Sequence, residues 1–115
     1  MEEPAAECLL LLRSKKRLDR ENGLSKLKLL LQDVQDEVIV SIEAKLLELV
    51  LSLISPWEER HGGLLAAGIM IQTGAASQQF CDKIKGEIPL FLEDPESRIR
   101  IAAGMVLNLC FIFVA

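Results

Sequence analysis

Tyrosine is absent from this 115-residue chain, and one tryptophan and four phenylalanines are its whole aromatic complement. The core must therefore be built from Leu, Ile, Val and Ala, a palette that suits close helix packing better than a sandwich or a barrel. Histidine is nearly missing as well. His61 stands alone, with no second His and no Cys at ligand spacing, so a zinc site has too few donors and no metal is expected. Cys8, Cys81 and Cys110 form neither a metal-spaced pair nor an even disulfide set, and they read as small core hydrophobes of a reducing compartment. No apolar run reaches the roughly 18 to 20 residues that span a bilayer. The opening Met1-Glu2-Glu3-Pro4 has the wrong charge order for a secretory signal. A cytoplasmic location follows, with the nucleus as the alternative.

An excess of positive charge is lacking too. Lys and Arg total 13 against 17 Asp and Glu, a net charge of −4, which argues against nucleic acid as the main partner because that affinity rests on cations displacing counterions. The local exception is Arg13, Lys15, Lys16, Arg17 and Arg20, read first as a solvated helix face and alternatively as a contact for acidic lipid or RNA.

What is present is helical punctuation. Half of the residues are hydrophobic, enough to supply one modest core in one domain. Ser55-Pro56-Trp57-Glu58 has the form of a capping box, with Ser55 as N-cap and Pro56 at the first helical position, and Gly74 suits a left-handed helix end. Asp94-Pro95-Glu96 repeats the same start, and Asp36 opens a third helix. The expected helices cover about Ala5 to Arg13, Lys16 to Leu31, Asp36 to Ile54, Pro56 to Thr73, Ser77 to Leu92 and Pro95 to Val114, with a kink or a short break near Glu87 caused by Gly86 and Pro89. On the third of these, Ser41, Lys45, Glu48 and Ser52 make one narrow polar stripe, so neighbours should cover the helix on several sides.

Catalytic constellations are not found. Gly62, Gly63 and Gly68 lie inside a helix without the strand-loop-helix context or the Lys of a phosphate loop, and close helix packing explains them. The carboxylate pairs Glu2-Glu3, Asp36-Glu37, Glu58-Glu59 and Glu93-Asp94 sit at helix starts, where the dipole favours negative charge. No enzyme activity and no cofactor are expected.

Three helices align when the chain is shifted by roughly 40 residues. Arg20 falls on Arg60 and Arg100, Gly23 on Gly63 and Ala103, Leu27 on Ala67 and Leu107, and Leu30 on Met70 and Cys110. Asp94-Pro95-Glu96-Ser97-Arg98-Ile99-Arg100-Ile101-Ala102-Ala103 resembles the HEAT-repeat signature, and Trp57 to Gly68 is similar to the first helix of the same unit. The resemblance implies an all-α, right-handed α-α superhelix of about two and a half repeats (16–54, 55–93 and 94–115), working as a protein-interaction scaffold. It further implies a polar ladder between repeats, drawn from Arg20, Arg60, Asp94 and Arg100.

Candidate partner contacts are Trp57, as a hot-spot residue or as cover for the end of a neighbouring repeat, together with Lys45 and Glu48 on the polar stripe and Phe111 and Phe113 in the tail. Met105 to Ala115 is apolar nearly all round and has no following helix to cover it, which reads as a C-terminally shortened array that self-associates through the tail or docks a partner. A membrane-surface or lipid-kinase-associated adaptor, using the basic cluster or this tail, is the alternative function.

Overall fold

Val38, Ile42, Leu46 and Val50 recur every four residues, and a helix turns all four onto one buried side. Phe80, Ile84, Ile88 and Phe91 do the same at steps of four, four and three. The computed structural model describes residues 3–52 and 54–113, and they form α1 (Glu3–Leu12), α2 (Arg17–Leu30), α3 (Asp36–Leu51), α4 (Trp57–Gln72), α5 (Gln78–Phe91) and α6 (Ser97–Phe113). No strand occurs among the described residues. Glu2, Ala115 and Val114, the expected end of the last helix, lie outside them.

Each odd-numbered helix packs on the even-numbered helix that follows it. Contacts from α1 to α3 to α5 make one layer, and contacts from α2 to α4 to α6 make the other. The molecule measures 35 × 34 × 20 Å, and the short dimension is two helix diameters of about 10 Å each. Helix α4 touches α1, α2, α3 and α6, and it is buried nearly all round from Gly62 to Ile71. That position demands small residues. Gly62 and Gly63 let α4 lie against Leu12 of α1 and Leu49 and Val50 of α3, and Gly68 admits Leu109 of α6.

Four expectations of local structure are corrected. Helix α5 runs without a break through Gly86 and Pro89. Pro89 inside the helix costs about 3 kcal/mol or more, which burial of Ile88 and Phe91, at about 1.5–3 kcal/mol each, offsets. Ser55 caps nothing: its hydroxyl donates to Ser52 Oγ at 2.7 Å, and Pro56 itself is the N-cap of α4, with a carbonyl that accepts from Glu59 and Arg60 but no side-chain acceptor. Helix α6 starts at Ser97, after Glu96, whose carbonyl accepts from Ile99 and Arg100, so Asp94 and Pro95 form the turn before it. Helix α3 stops at Leu51, short of Ile54, which lies in a turn. Gly74 does adopt φ +79° at the end of α4, where Ala76 N–H donates to the Met70 carbonyl.

The polar stripe of α3 also differs from its reading. Ser41 and Ser52 are half-buried, Val40 and Ala44 join Lys45 and Glu48 at the surface, and Glu43 is buried with 7% exposure. Its carboxylate accepts from Ser77 N–H at 2.7 Å and from the Ser77 hydroxyl at 3.1 Å, while Ser77 Oγ caps the N–H of Phe80. One side chain thereby ties α3 to the start of α5. Replacing Glu43 with alanine leaves the Ser77 N–H without its charged acceptor and should cost about 2 kcal/mol in urea unfolding. An unchanged midpoint would show that the link contributes nothing.

Candidate functional site

Helices α2, α4 and α6 run parallel, and their first turns meet at one edge of the layer. Trp57, the first residue of α4, joins them: the Arg98 guanidinium of α6 stands 3.8 Å from its ring centroid, and that of Arg20 on α2 stands 5.3 Å away. Farther along, Gly68 of α4 packs on Met105, Val106 and Leu109 of α6, so the two helices keep the same direction. A cleft of about 370 Å³ opens at this edge, lined by Lys15, Arg17, Arg20, Trp57, His61 and Arg98.

Arg20 is 4% exposed and has no carboxylate partner among the described residues; its Nη1 donates to the carbonyls of Ser14 and Lys15 at 2.9 and 3.0 Å. Arg100, at the matching place in α6, donates to the carbonyls of Asp94 and Pro95 at 2.6 and 3.1 Å. Both reach the residues five and six positions back. Arg60 behaves differently, since its Nη1 pairs with the Asp94 carboxylate at 2.7 Å, with both side chains largely buried. Asp94 thus bridges α4 to the turn before α6, and Arg100 lies outside that ion pair. Because Arg100 is exposed, water can replace its bonds, and the buried weight falls on Arg20 and Arg60.

Trp57 is half-buried between the two guanidiniums, and its ring meets that of His61 at 5.7 Å between centroids. Burial, then the charges of Arg20 and Arg98, hold the His61 imidazole below its ordinary pKa; Glu96 opposes them and Arg17 adds to them. The basic cluster is partly engaged in ion pairs at the surface: Arg13 pairs with Glu59 at 2.6 Å and Arg17 with Glu21 at 3.0 Å. Lys45 and Glu48 pair with each other at 3.4 Å beside a shallow groove lined by Leu9, Leu10 and Leu49. Lys85 of α5 lies over the Phe111 ring at 5.3 Å, and Phe113 is exposed at the end of α6. The structure therefore brings Arg20 and Trp57 together, and Arg60 with Asp94, while Lys45, Glu48, Phe111 and Phe113 stand elsewhere.

No family model, curated protein or solved structure matches the chain significantly.

Lys15 stood in the basic cluster read from the sequence, whereas Arg98 and His61 were not singled out as site residues. One local signal points to Arg98. Cations are disfavoured at the positive end of a helix, yet Lys16 and Arg17 open α2 and Arg98 is the second residue of α6. Such breaches of a local rule concentrate where function requires them.

Proposed function

We propose that this protein is a non-catalytic, HEAT-type helical module that binds another protein through the outer face of α6. That face carries the reading. Ile101, Met105 and Ile112 lie along one line of the helix, opposite the buried Ile99, Ala102, Ala103, Val106 and Cys110, and Phe111 and Phe113 flank it. Ile101 is 72% exposed and Phe111 69%. Isolated apolar residues on a surface need no explanation, but a stripe of this kind, interrupted by Asn108 alone, supports an interface.

Support for the repeat reading comes from the layered helix pairs and from Arg20 and Arg100, which make the same pair of carbonyl bonds at the starts of α2 and α6. The membrane-surface alternative has less beneath it. Arg20 is buried, and Arg13 and Arg17 are exposed but ion-paired, so within the cluster Lys15 and Lys16 are the exposed cations without a carboxylate partner among the described residues, and no helix among those residues is long and apolar enough to cross a membrane.

The experiment is sedimentation over a concentration series, on the wild-type chain and on a triple variant Ile101→Asn, Phe111→Ser, Ile112→Asn. Without a partner the wild-type chain should associate with itself through the stripe, and the variant should be monomeric and more soluble. A wild-type chain that stays monomeric at every concentration, with no gain in solubility from the variant, would sink the α6 interface.

A further inference from the structure

We propose that the cleft where α2, α4 and α6 begin is a binding site for a phosphate monoester, carried on a side chain of a partner segment or on a small soluble molecule. It lies apart from the outer face of α6 and does not rest on that interface. Positive charge is concentrated here against local preference. Lys15, Arg17, Arg20 and Arg98 approach from the turn before α2, from α2 and from α6, and the positive ends of three helices of 14, 16 and 17 residues add to them.

Two side chains of the cleft also carry unsatisfied polar atoms: Arg20 Nε and His61 Nδ1 are buried without a hydrogen-bond partner, and both residues line the cleft. The N-caps of α2 and α4 are Lys16 and Pro56, so no side chain caps the first turn of either helix. Trp57, against which Arg20 and Arg98 are both placed, keeps the two guanidiniums positioned before a ligand arrives.

A phosphate monoester matches this arrangement better than a carboxylate does. It carries nearly two charges and three acceptor oxygens, which four cations converging from different elements can use, and a guanidinium fork fits it in bidentate fashion. The recess and the net charge of −4 keep away an extended polyanion or a lipid surface, while a single compact anion still reaches the cations. The competing carboxylates are Glu21 on Arg17 and Glu96 on Arg98. Both guanidiniums are exposed, and exposed pairs hold their partners weakly.

Trp57 is the one tryptophan of the chain, so its fluorescence reports occupancy of the cleft. The full chain would be titrated at constant ionic strength with a phosphoserine pentapeptide, its unmodified counterpart, inorganic phosphate, and phosphatidylcholine vesicles containing phosphatidylinositol phosphate. A saturable response to phosphopeptide or inorganic phosphate is expected, with none from the unmodified peptide. A phosphopeptide that binds more tightly than inorganic phosphate identifies a protein segment as the source; equal affinity identifies a soluble ester.

The double variant Lys15→Ala, Arg98→Ala removes two exposed side chains, and circular dichroism checks its fold. It should bind at least about tenfold more weakly, the loss of one charge-assisted hydrogen bond. Sulfate, which does not titrate in this range, should raise the His61 pKa in a proton NMR titration, because its charge offsets Arg17, Arg20, Arg98 and Lys15, which face the imidazole together with Glu96. No saturable response to either phosphate, an equal response to the unmodified peptide, undiminished binding by the double variant, or a response to vesicles alone would overturn the proposal.

Discussion

Alanine at position 62 should lower the unfolding free energy by about 3 kcal/mol, at the upper end of what overpacking costs. A Cβ on Gly62 would lie inside 3.0 Å of the Leu12 carbonyl oxygen and carbon, and these are backbone atoms that no rotamer change can move. The end of α1 would have to lift from α4, exposing Leu12 and loosening Leu9, both of which the wild-type chain buries. Helix propensity works the other way, since alanine is better than glycine by about 1 kcal/mol in a helix interior. Gly86 isolates that opposing effect. It is also helical, nothing lies within 4 Å of an added Cβ, and Gly86→Ala should stabilise the protein by up to about 1 kcal/mol. Urea unfolding of the two variants should therefore give shifts of opposite sign. Shifts of the same sign would mean that α1 does not rest on Gly62 as described.

Replacing Asp94 with alanine should cost about 3 kcal/mol, the low end of the range for breaking a buried ion pair, because its side chain and that of Arg60 keep 12% and 14% of their surface exposed. The change leaves the Arg60 guanidinium unpaired against α6's turn, and it also removes the acceptor for Glu96 N–H at 2.9 Å. Partial burial acts to raise the Asp94 pKa, but the hydrogen bond from Arg60, the Glu96 N–H and the charges of Arg60 and Arg100 outweigh it and hold the carboxyl below its ordinary value. The folded pKa thus lies below the unfolded one. The stabilisation is complete above the unfolded aspartate value of about 3.9 and is lost as pH falls through the folded pKa. Wild type and Asp94→Asn should differ most near neutrality and converge in acid. A difference in urea midpoint that is the same at pH 7 and pH 2 would place the stabilisation somewhere other than this carboxylate.

The periodicity of apolar residues and the turn residues were enough to place six helices, since burial every three or four positions and Gly74 at a left-handed end are local properties of the chain. The shifted alignment also picked out Arg20 and Arg100, whose matching carbonyl bonds depend on residues five and six positions back and hence on short-range geometry. Helix starts were read less well. Ser55 looks like a cap, but the N-cap position of α4 falls on Pro56 and no side chain caps that helix; Asp94 does accept from the Glu96 N–H two residues on, but α6 itself begins only at Ser97. Pro89 was read as a break because propensity is local, whereas the burial that carries α5 through it comes from other helices. Tertiary structure alone decided the rest. Glu43 reaches Ser77 across 34 residues, the Asp94 carboxylate goes to Arg60 while only its carbonyl accepts from Arg100, and Lys15, Arg20, Trp57, His61 and Arg98 meet at one edge. Each of these depends on which helix ends lie side by side. That is fixed by the packing of α2, α4 and α6 through their small residues, because side chains distant in the chain interact only after two helices have come within contact of each other.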